Sequence, residues 1–212
     1  LVEKTGELGG VARHLNSTWQ GESIRTYLSG LIAGVMDNPS IRLYLNTEVS
    51  AFTGSMGNFV TTLKSGENGG KTTIEHGAVI LATGGKEYKP TEYLYGTHPR
   101  VLTHLDMDAA LREDDDRVRK AGTVVFIQCV GSRNSEHPFC SKVCCTHSLK
   151  SAIALKSMDK RKRVYVVYRD IRSYGFREDL YLKARELGVL FIRYDLEQMP
   201  SVALNTSQAL EV

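Results

Sequence analysis

The sequence predicts an α/β chain with parallel sheet, and three observations predict it. From Thr123 onward, apolar runs of strand length alternate with helical periods in the order β-α-β-α-β. Ala78-Val79-Ile80-Leu81 is a continuous apolar run, as in a strand covered on both faces, and it leads straight into Ala82-Thr83-Gly84-Gly85. Residues 21–37 carry Ile24, Tyr27, Leu28, Leu31, Ile32, Val35 and Met36 at spacings of three and four, a helix with one apolar stripe. The length, 212 residues, allows one large domain or two small ones, and 42% hydrophobic with 24% charged residues suits a globular chain.

In chain order, Leu1-Val2-Glu3-Lys4 reads as the end of a buried strand, and Asn38-Pro39 stops the helix of 21–37. Short strands are expected at 41–45, 47–53, 59–64 and 72–75, with turns at Gly54, Gly57 and Gly66–Gly70. Residues 86–122 are more polar and read as a connection with a short helix over 106–112. Beyond it come a strand at 123–130, a helix at 141–158, a strand at 163–169, a helix at 176–187 closed by Gly188, and a strand at 189–194. The expected domains are therefore 1–95, 96–122 as a connection, 123–195, and a tail at 196–212 that returns to the first domain.

A net charge of +3 is too small to call for a nucleic-acid partner. Lys160–Arg163, the densest basic run, reads as a solvated loop, as does the acidic run Glu113–Asp116. No apolar stretch approaches the roughly 20 residues of a membrane span. Without a signal peptide or an initiator Met, and opening inside a strand, the chain is expected to be an internal piece of a longer, cytoplasmic protein.

The four cysteines are Cys129, Cys140, Cys144 and Cys145, all within one segment. That clustering suits a local metal or redox site better than a disulfide framework. Cys129 ends a strand, and Cys140 and Cys144 share a face if a helix starts at Ser141. The carboxyl end of a parallel strand meets a helix N-terminus, whose positive end favours anionic sulfur. Four thiolates there suit an iron–sulfur cubane. They also suit tetrahedral zinc, with His137 or His147 as a substitute ligand, although adjacent cysteines sit badly in a zinc knuckle. Plain buried thiols are a third reading, and a thiol–disulfide centre lacks its C-x-x-C pair.

Glu3, at a strand end and followed by Gly6, Gly9 and Gly10, has the place of an acidic residue that binds ribose hydroxyls in dinucleotide folds. Thr83-Gly84 after an apolar strand would let backbone approach a flavin nucleotide, though a plain glycine turn explains them equally well.

Leu1–Lys4 with Leu8-Gly9-Gly10, Glu48-Val49 and Ile80–Gly84 resemble the FAD domain of thioredoxin-reductase-like flavoproteins. Gly85–Gly96, Phe126–Arg133 through Cys144-Cys145, and Tyr168–Gly175 narrow the resemblance to the A subunits of heterodisulfide reductases and their relatives, over about residues 1–195. The resemblance implies a Rossmann-like FAD/NAD(P)-binding fold: a truncated first domain plus a second β-α-β-α-β domain. It implies FAD, with Glu3 at the adenosine ribose, Gly9 and Gly10 beside it, Val49 at the adenine through its backbone, and Thr83-Gly84 at the flavin nucleotide. It also implies a [4Fe–4S] cluster on Cys129, Cys140, Cys144 and Cys145. The implied role is electron transfer between FAD and iron–sulfur clusters in an oxidoreductase complex. Expected partners are other heterodisulfide-reductase-like or quinone-interacting oxidoreductase subunits, and hydrogenase or dehydrogenase electron donors.

The sequence departs from the family pattern: it has no phosphate-binding glycine loop, no ferredoxin-type cysteine run and no N-terminal domain. By position, 123–130 and 141–158 stand where a thioredoxin-reductase-like protein binds NADPH, with the cysteine segment in place of a glycine loop. The second domain is thus expected to have exchanged nicotinamide binding for a cluster. The competing functions are an NAD(P)H-dependent disulfide reductase and a zinc-stabilised interaction module; no catalytic residue is assigned, and the piece alone is expected to be inactive.

Overall fold

The computed structural model describes residues 1–66 and 69–212. The turn expected over Gly66–Gly70 falls partly on Glu67 and Asn68, which lie outside the described residues. The chain forms two compact units, Leu1–His14 with Ser23–Lys86, and Leu15–Glu22 with Glu87–Val212.

In the first unit the helix α1 spans Ile24–Met36. Ser23 caps it by accepting from the Thr26 amide at 3.3 Å, and Asp37 closes it just before Pro39. Three antiparallel strands follow in the order β1-β2-β3, at Thr47–Ser55, Asn58–Ser65 and Gly70–His76. β1 and β2 are joined by the two residues Met56-Gly57. Gly54, at φ 101°, is required there: a Cβ would run into the Asn58 carbonyl oxygen. Thr47, Thr61 and Leu63 are buried, while no residue of α1 is.

Two expectations for this unit need correction. Leu1–Lys4 is not a buried strand: Val2 makes a single parallel bridge to Tyr44, and Leu1 is exposed. The covered strand expected at Ala78–Leu81 does not form. Residues 78–90 hold no regular structure, and Ile80 and Leu81 are 92% and 85% exposed. An apolar run becomes a covered strand only where neighbouring strands satisfy its backbone, and none among the described residues pairs with it.

The second unit has the expected succession. β4 (Thr123–Ile127), β5 (Arg163–Tyr168) and β6 (Leu190–Arg193) form a parallel sheet in the order β4-β5-β6. The chain crosses between them through α4 (Cys144–Met158) and then α5 (Glu178–Glu186). This is a Rossmann-like half. Before it stand α2 (His104–Arg112) and the short α3 (Asp116–Arg119). Thr103 and Asp106 cap α2 reciprocally, each side chain accepting from the other's amide. A small hairpin, β7 (Ala203–Leu204) with β8 (Leu210–Glu211), lies in the tail.

One core joins Met107 and Ala110 of α2, Val118 of α3, Phe126, Leu149 and Val166 with their neighbours. Residues 102–118 are therefore part of the packed unit. The basic run 160–163 is not wholly solvated either. Lys162 is 5% exposed, and its ammonium donates to the Val118, Arg119 and Ala121 carbonyls at 3.1, 2.8 and 2.6 Å. Its three donors meet three carbonyls at the end of α3, which is why a cation can sit there.

Candidate functional site

β4 ends at Ile127, and Gln128 and Cys129 continue it as the chain turns out of the sheet. Cys129 has φ 64°, and Gly131, Arg133 and Lys142 also lie in the left-handed region. For side-chain-bearing residues this costs on the order of 1–3 kcal/mol each, so the loop is held in shape by its surroundings. Gly131 must be glycine for a second reason: a Cβ would collide with the Tyr88 ring. Arg133 donates its amide to the Phe139 carbonyl at 3.2 Å, and Arg169 donates to the Arg133 carbonyl at 2.7 Å.

α4 starts at Cys144, with Val143 as an N-cap that offers no side-chain hydrogen bond. The first amides of α4 thus lack a side-chain partner from the cap, and Cys144 and Cys145 sit in that positive first turn. This corrects the expected start at Ser141: Cys140 lies ahead of the helix, so the shared face of Cys140 and Cys144 does not arise. The Cys140 sulfur instead accepts from the Lys142 amide at 3.3 Å.

Cys129, Cys144 and Cys145 are close enough to influence one another's charge. The neighbouring Cys145 thiol, with Ser141 and the Cys145 amide, holds Cys144 below the usual thiol range against its burial. The neighbouring Cys144, together with burial, pushes Cys145 up. Burial raises Cys129, opposed by Arg133, whose guanidinium lies 3.8 Å from the sulfur. The Cys145 thiol also points to the Asp170 carbonyl, at 3.6 Å. All four cysteines are free thiols.

Behind the cysteines lies a buried polar chain that sequence reasoning missed. Asp108 of α2 is fully buried. It approaches His147 Nε2 at 3.0 Å, an ion-pair distance that leaves both atoms short of a well-aligned hydrogen bond. It accepts from Lys150 at 2.9 Å and from the Asn16 amide at 3.1 Å. Burial alone would raise Asp108, but these partners hold it down to about 2. His104 stacks on His147 with ring centres 4.8 Å apart and approaches Ser148 Oγ at 3.3 Å. The Gln128 amide in turn donates to Ser148. Burial and the neighbouring His147 push His104 down to about 3. The available signal was Ser148 and Ser151 among the apolar positions of α4, polar residues where a core helix wants none.

The expected flavin residues are brought together only in part. Glu3 and the start of β1 are adjacent: the Thr47 amide donates to the Glu3 carbonyl at 3.0 Å, and Lys4 pairs with Glu48 at 2.6 Å. Hydrogen bonds from the Thr5 amide and hydroxyl lower Glu3. Val49 follows on β1, just before a bulge in its register with β2. Gly9 and Gly10 take φ 108° and 45°. Gly9 packs under Leu28 of α1, where a Cβ would come within 2.9 Å. Thr83 and Gly84 lie in the irregular, exposed segment 78–90.

Among curated proteins, the A subunit of the H(2)/formate:CoB-CoM heterodisulfide,ferredoxin reductase of Methanococcus maripaludis is 38% identical over 138 residues. That match covers 57% of this chain and 21% of the relative. The corresponding A subunit of the H(2):CoB-CoM heterodisulfide,ferredoxin reductase of Methanothermobacter thermautotrophicus is 38% identical over 136 residues, with the same coverages. This chain is similar to the A subunits of heterodisulfide reductases. The A subunit of the ferredoxin:CoB-CoM heterodisulfide reductase of Methanosarcina acetivorans matches at 31% over 159 residues, 55% of this chain and 20% of the relative. The chain thus spans about a fifth of the length of the curated relatives it matches. No protein-family model matches it. A solved structure, L-proline dehydrogenase from P. horikoshii, overlays on 100% of this chain and 34% of its own at 14% identity, with a TM-score of 0.37, too slight a likeness to inform fold or function.

The name of one such relative, from Methanocaldococcus jannaschii, calls that protein an iron–sulfur subunit. Among the described residues no three His, Cys, Asp or Glu side chains are arranged to hold a metal ion. Four cysteines are the donor set that an iron–sulfur cubane takes, and Cys140 stands ahead of α4 while Cys144 and Cys145 stand in its first turn. Of the residues expected at FAD, Glu3 stands beside the start of β1 and Val49 follows on that strand, whereas Thr83 and Gly84 lie in the irregular segment 78–90.

Proposed function

We propose that this chain is an electron-transfer module of a heterodisulfide-reductase-like oxidoreductase, with a [4Fe–4S] cluster on Cys129, Cys140, Cys144 and Cys145. The observation that carries the reading is that Cys129, just after β4, and Cys145, in the first turn of α4, are both tied to Asp170: Arg133 lies 3.8 Å from the Cys129 sulfur and donates to Asp170 at 2.6 Å, and the Cys145 thiol lies 3.6 Å from the Asp170 carbonyl. Bound there, a cluster supplies one-electron redox chemistry, which the side chains of this chain lack. The chain's own residues do the rest. Cys144, held below the usual thiol range, ionises more readily than a free thiol, the α4 amides and Arg133 compensate negative charge, and the strained loop Cys129–Arg133 fixes the direction of the first ligand.

In this reading FAD belongs to the whole protein. Glu3 and Val49 hold its adenosine end, Gly9 and Gly10 give close backbone approach, and Thr83-Gly84 reach the flavin nucleotide. The second unit has given up nicotinamide binding: its strand-to-helix loop carries Cys129 and Cys140 with a single glycine, Gly131, in place of a glycine-rich phosphate loop. Partners would be further heterodisulfide-reductase-like or quinone-interacting oxidoreductase subunits and their hydrogenase or dehydrogenase donors, in the cytoplasm. No helix of the described residues is long and apolar enough to cross a membrane.

The test is iron, acid-labile sulfide and zinc content of the anaerobically purified protein, beside Cys144→Ala. A deficit of about four irons and four sulfides in the variant, as a Cys-ligated cubane requires, supports the reading. Unchanged iron, or zinc in its place, removes it. Micromolar NADPH binding would separately remove the exchange of nicotinamide for a cluster.

A further inference from the structure

Arg133 is held more firmly than a loop arginine needs to be. Its amide and carbonyl are both taken, by Phe139 and Arg169. Its side chain is 15% exposed. One arm of the guanidinium donates to Asp170 at 2.6 Å, and the other lies 3.8 Å from the Cys129 sulfur. The planar fork is what lets one residue address both groups at once. Asp170 follows the end of β5, and Arg172 approaches the same carboxylate at 3.6 Å. The segment after β5 therefore touches the cysteines twice, through Arg133 at Cys129 and through the Asp170 carbonyl at Cys145.

A neutral thiol is a weak acceptor and gives a largely buried guanidinium little in return. Sulfur bound to an iron–sulfur cluster is anionic, and it gains negative charge when the cluster accepts an electron. A fixed cation beside it stabilises the reduced form more than the oxidised one, and hydrogen bonds to ligand sulfurs shift cluster potentials in the same direction. Burial strengthens the effect, because the interaction is screened less than at the surface.

We infer that Arg133, clamped by Asp170 and Arg169, is the residue that raises the reduction potential of a cluster ligated by Cys129. The inference rests on the cluster reading above. The redox step is a single electron added to the cluster, with no bond broken and no proton moved by Arg133. Arg133 acts through a ligand sulfur and is a positioning residue in that sense. Nothing in its own pairing requires this role, since an arginine–aspartate pair satisfied at the surface would serve the loop equally well.

The experiment is an anaerobic dithionite titration of the protein followed by EPR, on the unmodified chain, Arg133→Gln and Arg133→Lys, with iron and sulfide assayed on each. Arg133→Gln is expected to lower the midpoint by about 59 mV, equivalent to a tenfold loss of reduced cluster at fixed potential. Arg133→Lys, which keeps the charge but not the fork, is expected to recover at least half of that shift. Loss of iron in the Gln variant but not in the Lys variant also supports charge compensation, since Lys keeps the positive charge that Gln lacks. An unchanged midpoint in Arg133→Gln, equal shifts in both variants, or loss of iron in both overturns the inference. Failure of the cluster reading is separate: it shows as iron indifferent to Cys144→Ala, before any Arg133 variant is made.

Discussion

In the second unit, helices α2 to α5 close over a three-stranded parallel sheet, and Leu149, Leu155, Val164, Val166 and Ala184 lose essentially all contact with water. In the first unit a meander of three longer strands buries one apolar side chain among the described residues, Leu63, and leaves Tyr27, Leu31 and Met36 of α1 exposed. The apolar content of the two regions does not explain this, because α1 is more apolar than α4. The connections differ. A β-α-β crossover returns each helix onto the sheet it came from, so the unit completes its own core. An antiparallel meander needs no crossover and covers only the faces that other elements happen to supply.

The largest expected effect tests that contrast directly. Leu149→Ala removes a side chain with no exposure, and such deletions cost about 2–5 kcal/mol. Denaturant unfolding combined with amide exchange should show the loss across β4, β5, β6, α4 and α5, while amides of β1 to β3 keep their protection. A loss under about 1 kcal/mol, or equal loss of protection in both units, would break the comparison.

The same contrast explains what was legible in the sequence. The order of elements from Thr123 onward could be read because each periodic segment packs on its sequence neighbour; local pattern and tertiary contact agree. Ala78–Leu81 misled because a covered strand depends on strands elsewhere in the chain, and apolar residues alone do not provide them. At the site, the cysteines were visible by type and spacing, as was the meeting of a strand end with a helix start. The offset of Cys140 ahead of α4 was not visible, because helix starts are set by capping, and Val143 gives no capping signal. Arg133, Asp170 and the Asp108–His147–Lys150 group were also hidden. They are ordinary charged residues in sequence, and only the fold reveals their burial and mutual aim.

A smaller effect comes from acid, and it too belongs to the second unit. His104 is pushed down to about 3 by burial and by His147, from an ordinary value of 6.5. Between those values the unfolded chain takes up a proton that the folded chain refuses. Stability then falls as pH falls through that window, by up to about 1.4 kcal/mol per pH unit, and is independent of this group above it. Asp108, held down to about 2 despite its burial, adds a second loss as pH drops from 3.8 toward 2. His104→Phe keeps an aromatic ring against Phe126 and His147 and removes the titration. The slope of unfolding free energy between pH 6 and 4, measured by urea denaturation at about five pH values, should therefore flatten in the variant whatever happens to its absolute stability. An unchanged slope would mean that His104 carries its proton in the fold.

The smallest expected effect is the most informative about the first unit. Leu31 lies on the apolar stripe of α1 yet is 50% exposed, and α1 has no buried residue. Leu31→Ala removes little packing and substitutes the best helix former, so the change should stay within about 0.5 kcal/mol. Urea unfolding of the first unit, read from the exchange of β1 to β3 amides, measures it. A cost of about 2 kcal/mol or more would show that the stripe is covered in solution, and that the first unit, like the second, has a closed core. A cost near zero would show that its strands hold by cross-strand pairs such as Phe52–Phe59, with ring centres 4.9 Å apart, and by the hydrogen bond between Thr61 and His76.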